Sequence, residues 1–133
     1  AYHRRQRQMC IRDRSNVMRK SFSEGEIKTP NKAHSSTVTL GNVTMSKTTL
    51  QPGWSWSSCI KPIVGTESCQ AGHVGVVVQG EMRVKHDDGS EDYFKAGDAY
   101  YLAPGHDGWI VSDDEFISYE FTSDQKDFGP WKK

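Results

Sequence analysis

The stretch "HVGVVVQGEMRVKH", residues 73–86, decides the fold. Valine recurs in both of its halves, and β-branched residues are enriched in strands. Gln79 and Gly80 interrupt the pattern, and a glycine can adopt the positive φ that a sharp turn needs. The stretch therefore predicts two β-strands joined at Gln79–Gly80.

Strand signals continue on both sides of this stretch. Residues 36–50 predict one or two strands, and residues 51–54 (QPGW) predict a turn because Pro52 fixes φ. Residues 55–64 (SWSSCIKPIV) are interpreted as extended chain. Downstream, the hairpin signal DDGS at residues 87–90 precedes about three further strands. Short strands throughout, with nothing helical among them, predict an all-β sandwich or small barrel.

Length and composition limit the class of protein. The 133 residues suffice for one folded domain. The valine-rich run at residues 74–78 is interrupted by Gly75 and is far shorter than the roughly 20 residues of a membrane span. No apolar signal-peptide core follows the basic N-terminus, and three cysteines cannot all pair with one another. We therefore predict a cytoplasmic protein with reduced thiols and no membrane partner.

The net charge of zero conceals an asymmetry between the N-terminus and the rest of the chain. Residues 1–20 contain seven basic residues and one acidic residue, so the remainder carries a net charge of −6. A basic arm is one sign of nucleic-acid binding. However, RQRQMCIRDRS at residues 5–15 resembles the translated sequencing-adapter read-through found in assembled environmental DNA. We therefore predict that residues 1 to about 15 are foreign, of metagenomic origin, and that nucleic acid is not a partner.

The composition predicts three regions. Residues 1–36 are polar and are predicted to form a disordered or non-native N-terminal tail. Residues 37–123 contain the strand signals and are predicted to form the β-barrel. Residues 124–133 are predicted to be a C-terminal tail.

Two fragments together resemble the paired motifs of the cupins. Residues 65–84 (GTESCQAGHVGVVVQGEMRV) are similar to the first motif, which runs through two strands and ends at a glycine turn. Residues 97–109 (GDAYYLAPGHDGW) are similar to the second motif, which begins with Gly-Asp and reaches a proline turn. The resemblance covers residues 50–121. It implies a small single-domain cupin, with a double-stranded β-helix (jelly-roll) barrel around a pocket, and it implies a homodimer.

The resemblance also implies a metal site with unusual ligands. Typical cupins bind a divalent metal through two histidines and a glutamate of the first motif and one histidine of the second. The three first-motif positions, counted back from Gly80, hold Glu67, Cys69 and His73 in this chain. The last position falls on Trp109, which is therefore predicted to form a pocket wall, and His106 lies three residues earlier. The implied ligands are Glu67, Cys69, His73 and His106.

The residues themselves also place a thiol beside an imidazole. Successive strand residues alternate between faces, so Glu67 and Cys69 are expected to point the same way. If residues 70–72 form a hairpin loop, Cys69 and His73 are cross-strand neighbours with Cβ atoms roughly 5 Å apart. Thiolate and imidazole ligands suit zinc, iron or copper. The predicted cofactor is a divalent transition metal such as zinc, iron or manganese.

Other interpretations of these side chains stay open. Cys69 can be a small buried hydrophobic residue, and His73 a satisfied polar residue at the start of a strand. A thiol beside an imidazole can also ionise below its free pKa of about 8.5 and act as a nucleophile. His106 is either a ligand, a general base, or a solvent-facing residue of its turn.

Three side chains are predicted to contact a bound molecule: Trp109, Tyr101 and Lys61. Only one of the adjacent Tyr100 and Tyr101 can face the pocket. Lys61 either neutralises an anionic ligand or lies at the surface. The predicted function is the binding of a small polar molecule in the barrel, with or without the nonstandard metal site. The alternative is a metal-dependent enzyme of the oxygenase or isomerase class.

Overall fold

The computed structural model describes residues 16–122 of the chain. This part contains nine strands, two one-turn α-helices and one 3-10 turn, Phe22–Glu24. The helices are α1 (Trp56–Cys59) and α2 (Lys61–Val64). The strands are β1 (Glu26–Lys28), β2 (Ala33–Leu40), β3 (Val43–Leu50), β4 (His73–Gln79), β5 (Glu81–His86), β6 (Glu91–Lys95), β7 (Ala99–Leu102), β8 (His106–Ile110) and β9 (Phe116–Thr122).

The strands form two antiparallel sheets that enclose the core. The larger sheet has the order β1-β2-β3-β9-β4-β7, and the smaller has the order β6-β5-β8. Their inner faces alternate with the outer faces along each strand, as in β3, where Ser46, Thr48 and Leu50 are buried. The all-β, two-sheet architecture predicted from the sequence is confirmed. No helix among the described residues has the length and apolar character needed to cross a membrane.

The two strands predicted in residues 73–86 are confirmed, but they belong to different sheets. β4 pairs with β7 and β9, whereas β5 pairs with β6 and β8. Gly80 stands at the crossing with a φ of +82°, and a Cβ there would lie 2.7 Å from the Glu115 carbonyl oxygen. Only glycine fits both the conformation and the space. The DDGS signal does form the predicted hairpin, between β5 and β6.

The structure begins its sheet earlier than the predicted boundary at residue 37. β1 and the first half of β2 lie within residues 26–36 and pair in register. Ahead of them, Ser21 and Glu24 form a capping box around the 3-10 turn. Phe22 packs against Tyr119 on the outer face of the larger sheet, with ring centroids 5.4 Å apart. The polar composition concealed these contacts. The predicted foreign tail (1–15) and C-terminal tail (124–133) lie outside the described residues.

The expectation of extended chain through residues 55–64 is wrong, because α1 and α2 occupy it. The Ser55 hydroxyl caps α1 by accepting a hydrogen bond from the Ser58 amide at 3.1 Å. Pro62 lies in the first turn of α2, where its missing N–H costs nothing. Trp56 and Cys59 of α1 and the connecting Ile60 are buried and belong to the hydrophobic core.

Candidate metal centre

Cys69, His73 and His106 converge inside the barrel. Each offers one ligand atom, and these atoms all lie within 4.8 Å of one another. All three residues are buried, with exposed fractions of 1%, 8% and 4%. Of the four ligands implied by the sequence, the structure thus brings three together.

The backbone brings these residues together in a way that differs from the predicted hairpin. Cys69 pairs with His106 rather than with His73, through an isolated β-bridge in which its amide donates to the His106 carbonyl oxygen at 2.7 Å. The Gly105 amide in turn donates to the Cys69 carbonyl oxygen at 2.6 Å. His73, at the start of β4, approaches from the larger sheet, with its Nε2 3.8 Å from the Cys69 Sγ.

Both imidazole rings are held by hydrogen bonds from Nδ1. The His106 Nδ1 lies 2.8 Å from the Ala103 carbonyl oxygen, which can only accept, so this nitrogen carries the proton. The His73 Nδ1 donates to the Glu120 Oε1 at 2.8 Å. In each ring Nε2 is then the nitrogen that remains for a metal. Histidine ligands are typically oriented in this way by a carbonyl or carboxylate behind them.

Glu120 is a member of the centre that the sequence reasoning missed. Its side chain is only 13% exposed, and its carboxylate accepts from His73 on one oxygen and from the Tyr100 hydroxyl at 2.5 Å on the other. The sequence of β9 did indicate that Glu120 faces inward, because Glu120 lies two and four residues after the buried Ser118 and Phe116. An acidic residue on the inner face of a strand needs a partner, and here it has two.

The charges of the centre support one another. Burial raises the pKa of the Cys69 thiol, but hydrogen bonds from His106 and His73 and the His73 charge outweigh burial and lower that pKa from 9.0 to about 6. Burial lowers the pKa of His73, but the Glu120 charge, the hydrogen bonds to Cys69 and Glu120 and the Cys69 charge together outweigh burial and raise that pKa from 6.5 to about 10. For Glu120, burial again opposes ionisation, and the His73 charge keeps its pKa below 4.5. The metal-free centre is therefore thiolate, imidazolium and carboxylate at neutral pH.

We expect the metal-free protein to show a thiolate titration near pH 6. Because the Cys69 pKa is lowered, the ultraviolet absorbance of the thiolate should be present at pH 7 and should disappear as the pH falls through about 6. Cys69→Ala should abolish this transition, and Cys59→Ala should retain it. A transition that survives in Cys69→Ala would show that another group is responsible.

Glu67 and Lys61 lie outside the centre, contrary to their predicted roles. The Glu67 side chain is 97% exposed and pairs with Lys61, Nζ to Oε2, at 3.2 Å. The alternation argument assumed that residues 67–69 form a regular strand, but Cys69 forms only a single bridge. Glu67 thus points into solvent, and Lys61 is engaged with it on the surface.

Trp109 and Tyr101 are also displaced from their predicted positions. In β8 the inward positions are His106, Gly108 and Ile110, so Trp109 faces outward. In β7 the buried residue is Tyr100, whereas Tyr101 is 63% exposed. The choice between the adjacent tyrosines was therefore wrong, and the pocket wall is formed by Tyr100 instead.

The three candidate ligands line a cavity inside the barrel. The centre of a water molecule can occupy about 50 Å³ of it, whereas a single water requires only about 10–15 Å³ by this measure. The cavity thus has room for an ion and a molecule of a few heavy atoms. Its walls also include the Thr48 and Ser118 side chains, the indoles of Trp54 and Trp56, and Phe116.

Solved structures share this architecture. A RmlC-like cupin from Shewanella frigidimarina is 19% identical, with a TM-score of 0.53, over 78% of this chain and 87% of its own. A Cupin 2 conserved barrel domain protein from Salinispora arenicola is 18% identical, with a TM-score of 0.57, over 80% and 88%. A variant of oxalate decarboxylase from Bacillus subtilis is 17% identical, with a TM-score of 0.59, over 83% of this chain but 30% of its own.

The chain is therefore an all-β, jelly-roll barrel protein with a pocket between its sheets. Its fold is that of the cupins, as the two sequence motifs implied. At these identities the likeness concerns the fold, and the chemistry of the pocket must be argued from its own residues. No protein-family model matches the chain, and the search of curated proteins found no match.

Proposed function

We propose that the protein binds a divalent transition metal through Cys69, His73 and His106, and that the metal and the pocket together hold a small polar molecule. One observation carries this proposal. Three side chains of metal-ligating type point their donor atoms at a common space, and both imidazoles are already fixed through Nδ1. This is the arrangement of a histidine-rich metal site with its supporting hydrogen bonds.

The distance between the thiol and the first imidazole fits a metal of zinc's size. Zinc lies about 2.3 Å from a thiolate sulfur and about 2.0 Å from an imidazole nitrogen, so two such donors at a tetrahedral centre are about 3.5 Å apart. The Cys69 Sγ and the His73 Nε2 lie 3.8 Å apart, within a few tenths of an ångström of that value. A thiolate with two imidazoles favours zinc or iron over the harder manganese.

The second imidazole favours this proposal over a thiol nucleophile. Cys69, His73 and Glu120 do form a series of thiol, imidazole and carboxylate, which is the order of a nucleophile, its base and an orienting acid. A nucleophile needs one base, however, and here His106 also offers a ring nitrogen to the same sulfur. A metal site uses both rings.

A metal-dependent enzyme of the oxygenase or isomerase class is the second candidate function. Three protein ligands leave at least one coordination position for water or substrate, which is how catalytic metal sites differ from structural ones. The Thr48 and Ser118 side chains line the same cavity and supply polar contacts for a small oxygen-bearing molecule. The metal would polarise such a molecule, while Tyr100 and Glu120 hold His73 in place.

The proposal is tested by titrating the chelator-treated full chain with zinc and, separately, with cobalt(II). We expect one equivalent to bind, and we expect cobalt to give the intense near-ultraviolet absorption of a thiolate-to-cobalt transition together with visible bands of low symmetry. The metal requires a neutral imidazole, so His73 must release a proton when the metal binds. The affinity for the metal should therefore rise with pH. Binding of less than one equivalent, or cobalt spectra without the thiolate transition, would contradict the proposal.

A further inference from the structure

The metal centre proposed above carries two negative charges of its own. Cys69 binds a metal as the thiolate. Glu120 accepts a hydrogen bond on each oxygen, from the His73 Nδ1 at 2.8 Å and from the Tyr100 hydroxyl at 2.5 Å, as an ionised carboxylate does. Both imidazoles are neutral when their Nε2 atoms bind the metal. The charge of a divalent ion is therefore balanced by the thiolate and the carboxylate, and the loaded centre has no surplus of positive charge.

The surrounding cavity adds no positive charge to the centre. Apart from Cys69, Glu120 and the two histidines, the cavity-lining residues within the described part of the chain are all uncharged. No lysine or arginine among residues 16–122 is buried. An anion that enters this cavity therefore loses its hydration without gaining a counter-charge, and the Glu120 carboxylate on the cavity wall repels it.

The other walls of the cavity suit a molecule with one polar group and an apolar remainder. Buried apolar side chains line it, among them Leu50, Trp54, Trp56 and Phe116. The Thr48 side chain adds a hydroxyl, which can donate or accept a hydrogen bond without adding a charge. Apolar walls stabilise a ligand by removing its hydrocarbon part from water. The cavity therefore favours an uncharged molecule with a short hydrocarbon part.

We propose that the ligand of this centre is a small neutral molecule with a carbonyl or hydroxyl oxygen, and that the balanced charge of the centre discriminates against carboxylates and other anions. This inference rests on the proposed metal site. Three protein ligands leave a coordination position open, which a neutral oxygen can occupy without disturbing the charge balance. A carboxylate at the same position leaves the buried centre with a net negative charge, which is costly away from water.

The ligand selectivity is tested on the cobalt-loaded full chain with propionamide and propionate. The two probes have the same shape and the same number of heavy atoms, and at neutral pH they differ by one negative charge. Binding of each probe is followed by the change in the visible cobalt bands. We expect propionamide to bind at least about 10-fold more tightly than propionate. A free divalent ion in water attracts the charged carboxylate more strongly than the amide, so this order of affinities must come from the protein.

Glu120→Gln tests the origin of the selectivity, at a cobalt concentration that saturates the site of this variant. The substitution keeps the size of the side chain and removes one negative charge. The ratio of the propionate affinity to the propionamide affinity should therefore rise by at least about 10-fold. Thr48→Val is the matched control, because it alters the wall of the same cavity without a change of charge. It should leave that ratio unchanged.

The outcomes distinguish this inference from the proposed metal site. If the unmodified chain binds no cobalt, the metal site itself is wrong, and so is the selectivity inferred from it. If cobalt binds but propionate binds as tightly as propionamide, or neither probe changes the cobalt bands, the inference about the ligand is overturned while the metal site stands. The same holds if Glu120→Gln leaves the affinity ratio unchanged. A preference for propionamide that weakens in Glu120→Gln and persists in Thr48→Val supports the inference.

Discussion

Replacing Cys69 with alanine should lower the affinity for zinc by more than about 100-fold. The change removes the one anionic ligand of the centre, which leaves two imidazoles that bind a metal far more weakly. Zinc at 100 times its dissociation constant stabilises the native state by about 2.7 kcal/mol, which corresponds to a rise in melting temperature of about 10 °C for a domain of this size. In Cys69→Ala this zinc-dependent rise should disappear, as measured by differential scanning calorimetry with and without zinc.

Cys59→Ala provides a matched control for this variant. Cys59 is also a buried free cysteine, at 4% exposure, but it lies in α1 and does not belong to the cluster. Its replacement should leave zinc affinity unchanged. An equal loss in the two variants would show that the zinc effect depends on packing rather than on coordination, and would refute the ligand assignment.

Glu120→Gln should give an intermediate result. The glutamine keeps the size of the side chain but removes the charge that fixes the His73 ring, and changes of this kind typically cost 10–100-fold in metal affinity. Zinc affinity should therefore be highest in the unmodified chain, lower in Glu120→Gln and lowest in Cys69→Ala. This order distinguishes a metal ligand from a residue that supports one.

The sequence could predict the part of the fold that depends on local patterns. Valine and aromatic runs separated by glycine and proline identified most strands, and the Asp-Gly turn identified the β5–β6 hairpin. The two motifs identified the cupin fold, because their order and spacing carry more information than either alone. What local patterns could not predict is which strands pair, and so the crossing at Gly80 from one sheet to the other was not foreseen.

The candidate centre was predictable only where residue type and position agree. Cys69 and His73 were named because the resemblance to the first cupin motif placed them at ligand positions, and His106 because it is a ligand type near the last such position. The prediction that Glu67 is a ligand was wrong. It assumed a regular strand in which Glu67 and Cys69 point to the same face, but Cys69 forms only an isolated bridge. Glu120 was missed because it reaches His73 through β9, 47 residues away, and no local pattern reports that contact.

Gly75 is the first of the two glycines in residues 73–86, and its replacement by alanine should strongly destabilise the fold. It lies inside β4 between the strand positions of Tyr100 and Glu120. A Cβ there would press against the Tyr119 carbonyl oxygen and would come within 3.0 Å of both the Tyr100 hydroxyl and the Glu120 side chain. The carbonyl belongs to a paired strand and cannot move aside without breaking the pairing of β4 with β9.

We therefore expect Gly75→Ala to destabilise the fold by about 2–3 kcal/mol, which is in the upper range for overpacking, and to lower the melting temperature by about 7–12 °C. The same displacement should disturb the Tyr100–Glu120–His73 hydrogen bonds, so that the remaining folded protein also binds zinc more weakly. Gly41→Asn is the control: Gly41 has open space around it and a φ of +61°, which asparagine tolerates, so this variant should stay within about 1 kcal/mol of the unmodified chain. If Gly75→Ala melts and binds zinc like the unmodified chain, the close packing of β4 against β9 at this centre is not what holds His73 in place.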